Sequence, residues 1–122
     1  MKWNKTKRDS NHTEVKLYLE MCGYIVEELF DPLDLIVWGK DYRAVFCEVK
    51  LPTANASKWT RVQLQFIART KAPVMVVTSG EDAVVKLRNQ TILTDEQKWK
   101  VQDLLSRDDR KFFTEKDLRD VL

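Results

Sequence analysis

Residues 34–50 constrain the fold more than any other part of this chain. They read Asp34-Leu35-Ile36-Val37-Trp38-Gly39-Lys40-Asp41-Tyr42-Arg43-Ala44-Val45-Phe46-Cys47-Glu48-Val49-Lys50, two apolar runs around a polar turn. Side chains alternate in direction along a strand, so Glu48 and Lys50 share a face with Ala44 and Phe46, and Asp34 shares one with Ile36 and Trp38. A turn centred on Asp41 pairs residues whose numbers sum to 82: Trp38 with Ala44, Ile36 with Phe46, and Asp34 with Glu48. Residues opposed in this way have Cβ atoms about 4.5–5.5 Å apart. Two carboxylates then face each other, with an ammonium two residues further on. Like charges so opposed destabilise a sheet unless something compensates. A divalent cation with oxygen ligands does so, and Mg²⁺ is commonly held by one or two carboxylates plus water and phosphate oxygens. A bulge would shift the register by one and send every side chain to the other face.

The rest of the chain supplies a frame for this hairpin. Val15, Tyr18, Leu19 and Cys22 have helical spacing, which predicts a helix over about Asn11 to Cys22, stopped by Gly23. Tyr24 to Leu29 reads as a strand, and Asp31-Pro32 breaks the chain before the hairpin. Leu51 to Ser57 reads as a loop, Thr60 to Thr70 as a helix, and the apolar run Pro73 to Thr78 as a buried strand. Beyond Gly80 the pattern predicts a short helix over Asp82 to Leu87 and a helix from Thr94 to about Leu105, opened by the capping box Thr94-Asp95-Glu96-Gln97. A last short helix is predicted from Thr114 to Leu122. The order is α-β-β-β-α-β followed by helices. It predicts one α/β domain over 1–122, with a core at about 12–80 and a helical extension at about 81–122.

Composition narrows the partners. The chain has 122 residues, enough for a single core, and no apolar run near the roughly 20 residues of a membrane span. No apolar stretch like that of a signal peptide follows the basic start, and the two cysteines, Cys22 and Cys47, sit in apolar contexts, which favours a reduced, intracellular setting. Cys47 points away from Glu48 and is expected in the core. No Cys/His spacing suits zinc, and the single histidine, His12, reads as a helix-start residue. The net charge of +2 says little, but Lys2, Lys5, Lys7 and Arg8 form a basic arm, and Lys58, Arg61, Arg69 and Lys71 flank the central helix. Such patches suit a phosphate backbone. Of these, Lys5, Lys7, Arg8, Lys58 and Arg61 are the candidate DNA contacts. Trp3, Trp59 and Trp99 can stack on unpaired bases, but packing is the more common use of such residues.

Several polar residues can converge on the hairpin. Asp34 and Glu48 oppose each other, the Val49 carbonyl can add a backbone oxygen, and Lys50 can orient a water or offset charge on a phosphate. Glu14 borders the apolar face of the first helix. Gln63 stands at the start of the second helix, where its amide can orient Lys50 or a water. Phosphodiester hydrolysis needs an activated water and charge stabilisation at phosphorus, and one or two Mg²⁺ ions supply much of this.

These residues resemble the PD-(D/E)xK nuclease superfamily and, within it, the small stand-alone VRR-NUC nucleases. The resemblance covers roughly residues 12–80 and follows the family's order. It runs from a helix acid (Glu14) to a strand aspartate (Asp34) and the Glu48-Val49-Lys50 triplet. A helix opened by Thr60 and Gln63, with Phe66 three residues on, follows, and then the strand Pro73 to Val77. Here one residue, Leu33, separates Pro32 from Asp34, and Asp31 is a rival for the metal role. The resemblance implies a restriction-endonuclease-like mixed sheet flanked by helices. It implies that Asp34, Glu48 and the Val49 carbonyl hold Mg²⁺ or Mn²⁺, that Lys50 is catalytic, and that Glu14 and Gln63 support the site, Glu14 as a further metal ligand. Its relatives look like Holliday-junction resolvases that act as homodimers. The implied activity is therefore metal-dependent cleavage of branched DNA, four-way junctions above all. The alternatives are a flap, end or nonspecific DNA nuclease, and a DNA-binding module of the same fold without turnover.

Overall fold

The computed structural model describes residues 10–29, 31–39, 41, 43–50 and 58–122. Lys5, Lys7 and Arg8, with the rest of the basic arm, lie outside the described residues, as does the expected loop 51–57.

Helix α1, Ser10–Met21, buries Val15 and Leu19 on one face. It ends as Gly23 allows. That residue takes φ +94°, its amide donates to the Glu20 carbonyl, and the Tyr24 amide reaches back to the Leu19 carbonyl. This pair of bonds is a Schellman motif, and a side chain at a positive φ would strain it. Strands β1 (Ile25–Glu28), β2 (Leu35–Trp38) and β3 (Ala44–Val49) follow as an antiparallel meander. The β2–β3 register pairs Leu35 with Cys47, Ile36 with Phe46, Val37 with Val45 and Trp38 with Ala44, as a turn centred on Asp41 predicts. At the turn the Gly39 amide donates to the Arg43 carbonyl, and the Asp41 carboxylate accepts from the Arg43 amide.

Strand β4, Lys58–Thr60, runs directly into helix α2, Arg61–Arg69. Thr60 and Gln63 form a complete capping box there. Strand β5, Val74–Val77, then returns parallel to β3, so the four-stranded sheet has the order β1-β2-β3-β5. Helices α3 (Gly80–Asn89) and α4 (Asp95–Arg107) complete the chain with strand β6 (Phe112–Thr114), which pairs with β4 in a second, two-stranded sheet. The fold is thus mixed α/β, with helices packed around a mixed sheet.

Both faces of the large sheet are covered, and strand alternation decides what lies on each. Leu35, Val37, Val45, Cys47 and Val49 pack with Val15 and Leu19 of α1 and Ala83 and Val84 of α3. On the other face Phe46, Val74 and Val76 pack with Leu64 and Ile67 of α2, Val101 and Leu105 of α4, Trp59 and Phe113. Phe46 meets Phe66 edge to face, with ring centroids 4.9 Å apart. Glu48 and Lys50 belong to this second face.

Three expectations need correction. The short strands β4 and β6 carry no period long enough to predict them. Helix α3 is longer at both ends than Asp82 to Leu87, because Ser79 caps it and Gln90 ends it in the left-handed region. Residues 115–121 are successive turns rather than a helix. There the Asp117 carboxylate accepts from the Thr114 amide and hydroxyl, at 2.8 and 3.0 Å, and the Leu118, Arg119 and Val121 amides bond three residues back. Thr114 and Asp117 thus make the reciprocal pair of a helix start, but the backbone bonds that follow run mostly three residues back and the segment stays a run of turns.

Candidate active site

The site lies where β3 leaves the sheet, beneath the first turn of α2. Asp34 immediately precedes β2, and its Oδ2 accepts from the Val49 amide at 2.8 Å. The bond fixes Asp34 against the end of β3, within hydrogen-bonding reach of the Glu48 carboxyl. The opposition expected from the register is therefore present. The Lys50 amide donates to the Val77 carbonyl at 2.9 Å, on the β5 side. Backbone groups alternate sides along a strand, so those of Val49 face β2 and Asp34.

Glu48 is buried, with 2% of its surface exposed. Its Oε2 accepts from Lys50 Nζ and from Gln63 Nε2, both at 3.0 Å. Its Oε1 is buried and has no hydrogen-bond partner among the described residues. Burial, and then the neighbouring Asp34 carboxylate, push its pKa up to about 8, against the pull of the Lys50 ammonium. A buried carboxylate oxygen without a donor is costly, a cost that a cation or a shared proton would relieve.

Gln63 is fixed at both ends of its amide. Oε1 accepts from the Thr60 amide at 3.0 Å within the capping box, while Nε2 holds Glu48. The sequence expectation puts this amide on Lys50 or a water; it is on the carboxylate instead. Lys50 itself is 8% exposed. Besides Glu48, its Nζ donates to the Lys58 carbonyl at 2.5 Å and lies 4.1 Å from the centroid of the Trp59 ring.

Among the described residues no group of three or more His, Cys, Asp and Glu side chains converges to hold an ion. The candidate set is two carboxylates and one main-chain carbonyl. Such hard oxygen donors fit Mg²⁺ or Mn²⁺ that keeps water and substrate oxygens, and do not fit zinc. The unpartnered Glu48 Oε1 beside Asp34 is consistent with this fit.

Glu14 stands apart. It is exposed on α1 and forms no hydrogen bond or ion pair among the described residues, so the structure does not bring it into the site. Asn11, three residues earlier on the same side of the helix, does reach the site's edge. Its Nδ2 donates to the Thr78 carbonyl at 2.6 Å and more loosely to the Lys50 carbonyl at 3.4 Å, which staples α1 to the ends of β3 and β5. Sequence reasoning misses this role, although Asn11 stands four residues before Val15, one helical turn from a buried position. Asp31 is exposed in the loop before β2, whereas Asp34 makes the contact to β3.

The candidate phosphate contacts divide. The Lys58 side chain is exposed beside the site. The Arg61 guanidinium is committed elsewhere: it donates to the carbonyls of Leu105, Asp108 and Arg110, at 2.7, 2.6 and 3.1 Å, and so caps the end of α4. The guanidinium offered to DNA on sequence grounds thus serves as a helix cap. Trp59 is 1% exposed and cannot stack on a base, while Trp99 is 70% exposed on α4.

No helix among the described residues is long and apolar enough to cross a membrane. Comparison of the chain with protein-family models, curated proteins and solved structures gives no match.

Proposed function

We propose that this chain is a metal-dependent deoxyribonuclease that cleaves phosphodiesters in branched DNA. The observation that carries the reading is the buried Glu48 carboxylate. One of its oxygens is gripped by Lys50 and Gln63, the other is left without a partner, and Asp34 lies alongside. A carboxylate needed only for stability would not be placed next to a second one in the interior. The sheet order β1-β2-β3-β5 with its parallel last pair supports a restriction-endonuclease-like fold, as does the position of Gln63 above Glu48. So does the family resemblance of Asp34, Glu48 and Lys50.

In this reading Asp34, Glu48 and the Val49 carbonyl hold Mg²⁺ or Mn²⁺, which when bound supplies charge neutralisation at the phosphate and a more acidic water. Lys50 presents an ammonium beside that carboxylate, where it orients the attacking water and offsets the negative charge that develops on phosphorus-bound oxygens. Gln63 keeps the Glu48 carboxylate in the plane that both interactions require. Lys58, exposed next to Lys50, is placed to meet the DNA backbone. A homodimer accounts for paired nicks in a two-fold symmetric junction, since each protomer brings one site.

A panel of four-way, flapped and linear DNA of matched sequence, assayed in one buffer with Mg²⁺ and with Mn²⁺, tests the reading. Preferential cleavage of the four-way junction is expected. Equal cutting of linear duplex would replace it with a nonspecific nuclease. Junction binding without cleavage in either metal would replace it with a binding module. Sedimentation of the protein with and without junction DNA tests the dimer.

A further inference from the structure

Trp59 is almost wholly buried, yet its indole N–H has no hydrogen-bond partner among the described residues. The same ring lies under the Lys50 ammonium, 4.1 Å from Nζ to the centroid. An ammonium has three N–H groups. Here Glu48 Oε2 accepts at 3.0 Å, the Lys58 carbonyl accepts at 2.5 Å, and the Trp59 ring lies within reach of the remaining side. Indole is the aromatic ring that attracts a cation most strongly. Phenylalanine or leucine would fill a core position without leaving a buried donor unpaired, which is itself costly. A residue that breaks a packing rule next to a buried charge is where function, rather than stability, is expected to set the choice.

We propose that Trp59 is a positioning residue, whose ring face holds the Lys50 side chain against Glu48. A lysine held in this way donates hydrogen bonds to Glu48 and to the Lys58 carbonyl while the ring fixes its remaining side. The proposal also gives the C-terminal region a role in the site. Strand β4, which carries both the Lys58 carbonyl and the Trp59 ring, pairs with β6, with Trp59 opposite Phe113. The Arg61 amide donates to the Lys111 carbonyl at 2.8 Å and extends that ladder. The chain after α4 thus braces the strand on which the lysine rests. The catalytic meaning of the proposal depends on the nuclease reading; the contact itself does not.

Replacement of Trp59 alone by tryptophans with increasing numbers of ring fluorines weakens the negative face of the indole and hardly alters its shape. Three readouts are taken on the folded chain: single-turnover cleavage of junction DNA at saturating Mg²⁺, DNA affinity, and the side-chain nitrogen–proton NMR signal of Lys50. The expected result is a stepwise fall in cleavage, about 3- to 30-fold across the series, with DNA affinity unchanged. The Lys50 proton signal, shielded by the ring, is expected to move in step. A cleavage rate that stays flat across the series overturns the proposal. So does a Lys50 signal that never moves. If the unmodified chain cuts no DNA, the nuclease reading fails, and the NMR series still decides whether Trp59 holds Lys50.

Discussion

Binding of a divalent cation should drive a proton out of the Asp34–Glu48 pair, and the pH dependence of that release follows from the structure. Burial and the Asp34 charge raise the Glu48 pKa from 4.5 to about 8. This is the reverse of the usual surface carboxylate, so the sign of the stability effect reverses too. Below about pH 4.5 the group is protonated in folded and unfolded chains alike, and it costs nothing. Between 4.5 and 8 the unfolded chain releases the proton while the folded one keeps it, so stability falls as pH rises. Above pH 8 the fully ionised, metal-free site is destabilised on the order of 5 kcal/mol. A cation that needs the ionised carboxylate must displace the proton. At pH 7 about 0.9 protons should leave per metal bound, and at pH 9 only about 0.1. Titration calorimetry with Mn²⁺ in buffers of different ionisation enthalpy counts those protons. Glu48→Gln removes both the titrating group and a metal ligand, and it should abolish the release and flatten the fall in stability between pH 5 and 8. Proton release that does not change between pH 7 and 9 would refute the reasoning, as would a Glu48→Gln protein that keeps the wild-type slope.

Gln63→Ala removes the Glu48 bond and half of a capping box. It should lower stability by about 1–2 kcal/mol and weaken metal binding or cleavage about 10- to 100-fold, measured by denaturant titration and by metal-dependent activity. Arg61→Ala should cost about 2 kcal/mol in the same titration, because the end of α4 loses its cap, while junction affinity and its salt dependence stay unchanged. Gly80→Ala puts a Cβ into the Tyr18 side chain at the packing of α1 on α3. Although alanine is the better helix former, this variant should lose more than about 1 kcal/mol by thermal unfolding.

The hairpin is legible from sequence for a specific physical reason. One face of β2 and β3 packs on α1 and α3, so a slip by one residue would expose Val37, Val45 and Cys47 and bury the wrong set. The facing pattern together with a turn centred on Asp41 therefore sets Asp34 opposite Glu48. The capping boxes at Thr60 and Thr94 are equally legible, because the chemistry is local and both partners lie within four residues. Thr114 and Asp117 make the same reciprocal bonds with a different outcome, since the amides of Leu118, Arg119 and Val121 bond three residues back and no regular helix follows. The β4–β6 ladder is hidden from sequence because each strand is three residues long and its partner is distant in the chain. The role of Trp59 is hidden with it. Arg61 resembles a DNA contact because charge at the start of a helix looks solvated in sequence, and only the fold brings the carbonyls of Leu105, Asp108 and Arg110 to it. Order along the chain is all that draws Glu14 toward the site; the described contacts leave it on the surface.

The central claim is that Lys50, held against Glu48, takes part in metal-dependent cleavage. Its most direct test is the single-turnover rate of four-way-junction cleavage in Mg²⁺ by the wild-type chain and by Lys50→Ala, with junction binding measured in parallel. Metal-dependent cutting by the wild type is expected, with a rate lower by about 100-fold or more in the variant and binding retained. A variant that cleaves within a few-fold of wild type would contradict the claim.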